Sequence, residues 1–324
     1  MRERPYRRGG RLTEIGFGGA QVGNLYRAIS DDDALAAIDA AWSDGIRYFD
    51  TAPHYGLGLS ERRLGQALAG RPRDELVIST KAGRLLVPSP ETADRPDDDG
   101  FAVPADHRRV FDFSRDGILR SVESSLERLG VDRLDIVYLH DPDRHWEAAS
   151  TSGVGALAEL REQGVVGAIG AGMNQSAMLT EFVRRCDVDI VMVAGRYTLL
   201  DQSAGADLLP AAAERGVSVV VAGVYNSGIL SRASVPEAAH YDYSAAPPEI
   251  LARARRIAEV CARFDVDLPT AAVQFALRRP EVVSVVLGTG TAAHVRSGAE
   301  RGAADVPAEL WEELADAGLI DPAR

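Results

Sequence analysis

The segment IRYFDTAPHYGLG, Ile46 to Gly58, begins as a β-strand and ends in a cluster of ionisable groups. Ile46 and Tyr48 alternate among β-favouring neighbours, the composition of a pleated, buried segment. The strand stops at Asp50, and Pro53 carries the chain into His54, Tyr55 and Gly56. An acid, an imidazole and a phenol around one strand end make poor hydrophobic core. Two later apolar runs finish in the same way: LVISTK puts Lys81 at its C-terminal end, and LDIVYLH puts His140 there. Three strands in chain order thus deliver ionisable side chains at one end. That is the pattern of a site on one rim of a parallel sheet or barrel.

Working outward, strands are expected to begin near Ile15, Ile46, Leu76, Leu134, Val165, Val188, Val217 and Val282. Helices alternate with them. The acidic Ser30–Asp33 run opens the first, where carboxylates and a Ser oxygen meet free N–H groups, and Gly45 closes it. Others are expected over Leu59–Leu68, Arg115–Leu129, Ala156–Gln163, Gln175–Arg185, Ala204–Arg215, Glu249–Phe264, Thr270–Arg278, Ala292–Arg301 and Ala308–Ala317. Two connections break the rhythm. Ala82–Ser114 carries prolines, the acidic run Asp97–Asp99 and no periodicity, and Val224–Pro248 is rich in Gly, Ser and Ala. Connections this long inside a compact domain are functional or disordered. Eight β/α alternations without a composition break predict a single-domain (β/α)8 TIM barrel over residues 1–324, with its active site at the C-terminal rim of the strands. A doubly wound sheet would advertise a glycine fingerprint after its first strand, and GFGGAQVG lacks the G-x-G-x-x-G spacing.

The net charge of −12 argues against nucleic acid or an anionic membrane surface as partner. Two cysteines, Cys186 and Cys261, each in a helix-like segment, make no disulfide framework and suit a reducing compartment. The N-terminal MRERPYRRGGRL is basic, but no apolar stretch follows it to make a secretory signal. No apolar run approaches the ~18 residues of a membrane span. No His, Cys or carboxylate grouping has metal-ligand spacing. The expectation is a cytoplasmic protein, monomeric or weakly dimeric.

A phenol titrates near ~10, so Tyr is a poor acid or base at neutral pH without help. A nearby ammonium stabilises the phenolate, and a carboxylate paired to that ammonium holds it in place. Tyr55, Lys81 and Asp50 supply these three parts, and His140 stands on the next strand, able to hydrogen-bond a substrate oxygen. A lone Asp at a strand end is commonly a cap and a lone Tyr commonly packing. Four such residues at successive strand ends point to chemistry.

DTAPHYG, STK and ILRSVESSLERLGVDRLDIVYLH resemble the aldo-keto reductase family, barrels that use nicotinamide cofactors. The similarity spans nearly the whole chain and implies that Tyr55, Lys81, Asp50 and His140 form the family's catalytic tetrad. Tyr55 would exchange the proton with the substrate oxygen, Lys81 and Asp50 would tune it, and His140 would orient the carbonyl or hydroxyl. Within the family, HYGLGLSERRLG, FDFSRDG and AGVYNSGIL resemble the branch of L-fucose and D-threo-aldose 1-dehydrogenases, with L-galactose dehydrogenase and pyridoxal 4-dehydrogenase close by. That branch implies oxidation of a sugar's anomeric hydroxyl to a lactone.

The resemblance also implies where the cofactor contacts depart from the family pattern. After the last strand, Gly288, Thr289 and His294 stand where many members carry the Lys, Ser and Arg that grip an adenosine 2′-phosphate. Two cationic contacts are therefore replaced, which implies NAD in preference to NADP, with Arg296 placed to compensate. Asn174 keeps a nicotinamide contact, while Ala194 and Ala222 replace a Gln and a Tyr. Gly223, Asn226 and Gly228 would let backbone approach the pyrophosphate, or simply make turns. His54, Asp141 and Trp146 flank the tetrad as candidate sugar contacts, with the region His107–Phe113 expected to cover the pocket. The alternatives are a general NADPH-dependent aldehyde or ketone reductase, a pyridoxal 4-dehydrogenase, or a cofactor-binding subunit with vestigial chemistry.

Overall fold

The computed structural model describes residues 1–242 and 244–322. Eight parallel strands close into a barrel: β1 Ile15–Gly18, β2 Tyr48–Asp50, β3 Val77–Ala82, β4 Leu134–His140, β5 Val166–Met173, β6 Ile190–Ala194, β7 Ser218–Ala222 and β8 Val282–Gly288. Each pairs with its chain neighbour, and β8 pairs with β1 (Val285 beside Ile15, Gly288 beside Gly18) to seal the ring. Helices α1 Asp31–Ser43, α2 Leu59–Leu68, α3 Arg115–Leu129, α4 Val154–Glu162, α5 Ser176–Arg185, α6 Leu208–Arg215, α7 Pro248–Arg263, α8 Leu268–Leu277, α9 Ala292–Ala303 and α10 Ala308–Asp316 surround it. The expected barrel is the observed one.

Strand alternation sorts the apolar residues into two layers. In β7, Val220 points into the barrel, where Tyr48, Ile136, Tyr138, Ile190 and Met192 meet, while Val219 and Val221 face the helices. In β4, Ile136 and Tyr138 point in and Val137 and Leu139 point out. This is the period of two that a parallel strand buried on both faces imposes. Helix starts follow their capping side chains: Ser30 accepts from Asp33 N, Ser114 from Gly117 N, Asp267 from Thr270 N and Thr291 from His294 N.

The basic N-terminal arm seals the bottom of the barrel. Glu3–Pro5 and Arg11–Thr13 form a hairpin whose Leu12 is fully buried inside the ring. Arg4 donates to the carbonyls of Leu277, Arg279 and Val282, and Arg8 and Arg161 bind the fully buried Asp189. Behind β3, the buried Glu61 of α2 accepts from Thr80 Oγ1 at 2.7 Å and Arg128 Nε at 2.6 Å, tying α2, α3 and the strand together.

Several boundaries depart from expectation. The connection after β3 is not featureless: Arg84–Pro88 and His107–Phe111 pair antiparallel, with Arg84 opposite Phe111. The helix expected over Ala204–Arg215 is broken at Asp207, whose φ of −127° leaves the helical region before its carboxylate caps α6. A wide π turn over Ala149–Gly153 feeds α4, which starts at Val154. Cys186 closes α5 rather than lying within it, whereas Cys261 is buried in α7; both thiols are free. No helix among the described residues is long and apolar enough to cross a membrane.

Candidate active site

The register of β2, β3 and β4 sets Asp50 beside Ser79 and Lys81 beside Tyr138 on the rim. Lys81 Nζ donates to Asp50 Oδ2 at 2.7 Å and to the Thr51 carbonyl at 3.0 Å. Both side chains are buried, 3% exposed. Such a pair persists only when its remaining polar atoms are also satisfied. Asp50 Oδ1 meets that need by accepting from Ser79 Oγ at 2.7 Å. The Ser79 hydroxyl also lies 3.1 Å from Tyr48 Oη, which shares a hydrogen bond with Tyr138 Oη at 3.2 Å. A hydroxyl chain thus runs through the barrel interior and ends on the carboxylate that holds Lys81.

Lys81 lies 4.8 Å from the centre of the Tyr55 ring. His140 stands edge-on to that ring at 6.1 Å, and His54 lies 5.4 Å from His140 and 6.0 Å from Tyr55. Phe101 flanks both His54 and Tyr55, at 5.2 and 6.0 Å. Burial tends to lower the Lys81 pKa, but Asp50 and Tyr55 carry it above its ordinary range, so it remains an ammonium. Burial raises the Tyr55 phenol, with Lys81 pulling against it. Burial, Arg84 and Lys81 push His140 well below 6.5, and burial with Arg84 and Arg109 pushes His54 down to about 2. Both imidazoles are neutral, able to offer one N–H and one lone pair. His140 Nδ1 is buried without a hydrogen-bond partner among the described residues.

The hairpin after β3 brings two arginines that the sequence pattern did not single out. Arg84 binds Asp141 through Nη2 and Oδ2, and its Nη1 lies 3.5 Å from His54 Nδ1. Arg109 donates to the His54 carbonyl at 2.9 Å and pairs with Asp97 at 2.5 Å and Asp99 at 2.9 Å. The acidic run Asp97–Asp99 therefore holds a guanidinium beside the site. Asp141 is brought to the cluster as expected, 3.7 Å from His140 Nε2. Trp146 is not: its ring packs on Phe182 of α5 at 4.9 Å with Arg185 over it, because the turn after β4 rolls it outward into the helical layer.

The expected cofactor residues lie around the ends of β5 to β8. Asn174 and Asn226 donate their amides to the Ala194 and Gly195 carbonyls at 3.3 and 3.4 Å, bracketing the end of β6. Gly223 and Gly228 take φ of 67° and 95°, the left-handed backbone that leaves their peptides exposed without a Cβ. Gly288 is exposed, and a Cβ there would meet Gln21 Oε1 at 2.6 Å. Thr289 is buried at 6% exposure, and His294 is exposed in the first turn of α9. Thr289 Oγ1, Asn226 Oδ1 and Gln21 Oε1 are buried oxygens without hydrogen-bond partners among the described residues. Buried polar atoms are ordinarily satisfied, so this set fits a polar dinucleotide laid over the rim.

A parallel barrel carrying a buried ammonium–carboxylate pair, a phenol and two neutral imidazoles on its carboxy rim defines a class: barrel enzymes built for proton transfer at a substrate oxygen. Residues 14–317 match the aldo/keto reductase family, and the chain belongs to it, as an NAD(P)-dependent oxidoreductase. It is 51% identical over 314 residues to the D-threo-aldose 1-dehydrogenase of Pseudomonas sp, covering 95% of each chain. It is 39% identical over 326 residues to the pyridoxal 4-dehydrogenase of Microbacterium luteolum, again covering 95% of each. Among solved structures, an aldo-keto reductase from Bacillus halodurans in its holo form matches with a TM-score of 0.76 at 26% identity, over 100% of this chain and 97% of that one.

Proposed function

We propose that the protein oxidises the anomeric hydroxyl of an aldose, of L-fucose, D-arabinose or L-galactose type, to the lactone, with NAD⁺ preferred over NADP⁺. The observation that carries this reading is Tyr55 held between Lys81 and His140 at the barrel rim, in a chain half identical to an aldose 1-dehydrogenase.

In this reading Tyr55 Oη takes the proton of the anomeric hydroxyl, and the His140 ring orients the same oxygen. Lys81 stabilises the phenolate, and Asp50, backed by Ser79, Tyr48 and Tyr138, keeps the ammonium in place. A bound oxidised nicotinamide supplies the hydride acceptor. Asn174, Asn226, Thr289 and Gln21 would hold the cofactor, with the backbone at Gly223 and Gly228 open to its phosphates. The NAD preference is supported by Gly288 and His294. Gln21 fills the space into which a side chain at position 288 would start, and neither position carries a Lys or an Arg. We take the protein to act in the cytoplasm as a monomer or weak homodimer, a setting that suits the two free thiols.

The test is initial-rate reduction of NAD⁺ and NADP⁺ with L-fucose, D-arabinose, L-galactose and pyridoxal, in wild type and Tyr55→Phe. Sugar-dependent NADH formation that falls about 10³-fold in the variant is expected. Pyridoxal as the better substrate would turn the assignment to that relative's activity. Brisk NADPH-driven aldehyde reduction without sugar oxidation would make the protein a general reductase.

A further inference from the structure

Arg84 opens the rim hairpin three positions after Lys81 and is 14% exposed. Its guanidinium is enclosed on three sides. Asp141 binds Nη2, the Phe111 ring lies 4.9 Å from Cζ, and His54 Nδ1 lies 3.5 Å from Nη1. Its Nε is buried with no hydrogen-bond partner among the described residues. Asp141 reaches it from a backbone φ of 42°, a left-handed conformation adopted directly after His140 and fixed by Asp141 N donating to the Gly172 carbonyl at 3.0 Å. A non-glycine residue held there costs free energy, which points to a role for the carboxylate's position.

We infer that Arg84 and Asp141 form a specificity dyad that reads the ring hydroxyls of a neutral polyhydroxylated substrate. The inference rests on the aldose reading and deepens it. A guanidinium offers a fork of donors and a carboxylate a pair of acceptors, so together they match the alternating donors and acceptors of a vicinal diol. Phe111, 43% exposed and stacked on His145 at 5.0 Å, adds a flat apolar face beside them, as a pyranose ring requires.

The charge balance narrows the class further. Lys81 is paired with Asp50, Arg84 with Asp141, and Arg109 with Asp97 and Asp99. Each cation named at this site already has a carboxylate. A sugar phosphate or uronic acid would have to displace Asp141 from Arg84 or sit beside its charge, and like charges at short range exclude the wrong partner. The substrate is therefore an uncharged sugar.

The probe that isolates the ring hydroxyls is 2-hydroxytetrahydropyran, which carries the same hemiacetal carbon and none of them. Steady-state NADH formation is measured for L-fucose, 2-hydroxytetrahydropyran and D-galacturonate with wild type, Arg84→Met and Arg84→Lys. Wild type is expected to favour L-fucose over the bare lactol by about 100-fold or more in kcat/KM, since a site built to bind hydroxyls rejects an analogue lacking them. Arg84→Met is expected to shrink that ratio at least tenfold, mainly through KM for the sugar. Arg84→Lys, which keeps the charge but loses the fork, is expected to fall between and serves if the Met variant does not fold. D-galacturonate is expected to be a poor substrate for wild type.

A sugar-to-lactol ratio unchanged in both variants would overturn the dyad while leaving aldose oxidation standing, as would uronate oxidised as well as L-fucose. Oxidation of the lactol with no aldose oxidised by wild type would instead sink the aldose reading, and the dyad with it.

Discussion

Burial holds the Tyr55 phenol above its ordinary range even with the Lys81 ammonium beside it. In the oxidising direction the phenolate is the working form, and its share of the population rises tenfold per pH unit below the pKa. The rate of sugar oxidation, as kcat/KM, is therefore expected to climb steadily from roughly pH 7 to 9. His140 adds no acid limb in this range, because burial and the charges of Arg84 and Lys81 keep it neutral. A pH–rate profile checks this, and a flat one would mean that some other group takes the proton. The cluster was legible in the sequence because Asp50, Lys81 and His140 lie at the ends of apolar strands, where a polar residue has to be explained, and Tyr55 follows Asp50 in the turn after its strand. Arg84 was not legible, because its partner Asp141 lies 57 positions away. Trp146 misled for the converse reason: proximity to His140 along the chain says nothing about the direction in which a turn rolls a side chain.

At the level of elements, the strands could be read because a parallel strand buried on both faces is a short, continuous apolar run. The rim hairpin could not. Arg84–Pro88 and His107–Phe111 are only partly buried, so neither strand alternates cleanly, and a proline-rich excursion separates them. Its second strand is tied to that excursion by ion pairs such as Arg109 with Asp97. The helical layer depends on a similar device at Glu61, whose carboxylate is fully buried between Thr80 and Arg128. Removing one partner of a buried pair strands the other. Glu61→Ala is expected to cost about 3 kcal/mol in urea unfolding, with Glu61→Gln closer to wild type because it can still accept from Thr80. Equal losses in the two variants would argue that packing, rather than the ion pair, is what matters there.

For the whole molecule, the two neutral imidazoles set an acid limit. His54 titrates at about 2 in the fold and 6.5 when unperturbed, and His140 is likewise depressed. The unfolded chain therefore takes up protons below pH 6.5 that the native state refuses, so stability is complete above that value and falls as pH drops toward the native pKa. Each imidazole is expected to cost about 1.4 kcal/mol per unit, roughly 2 kcal/mol at pH 5. Burial raises the carboxyls of Asp135 and Asp141, which acts in the opposite sense but only nearer the carboxylate range. Thermal unfolding between pH 7 and 5 reads the net slope, and His54→Asn is expected to flatten it. No difference between variant and wild type would mean that His54 is protonated in the native state.

The arm that seals the bottom of the barrel carries a consequence for how the chain is made. Arg4 bonds the Val282 carbonyl across 278 positions, and β1 finds one of its two neighbours only when β8 arrives. On the ribosome Arg4 and β1 must wait, with one edge of β1 unpaired, until β8 has emerged. Contacts of such long sequence separation are slow to form and leave a strand edge open to wrong partners meanwhile. For this barrel, the vulnerable interval of synthesis is set by the length of chain that separates β1 from β8.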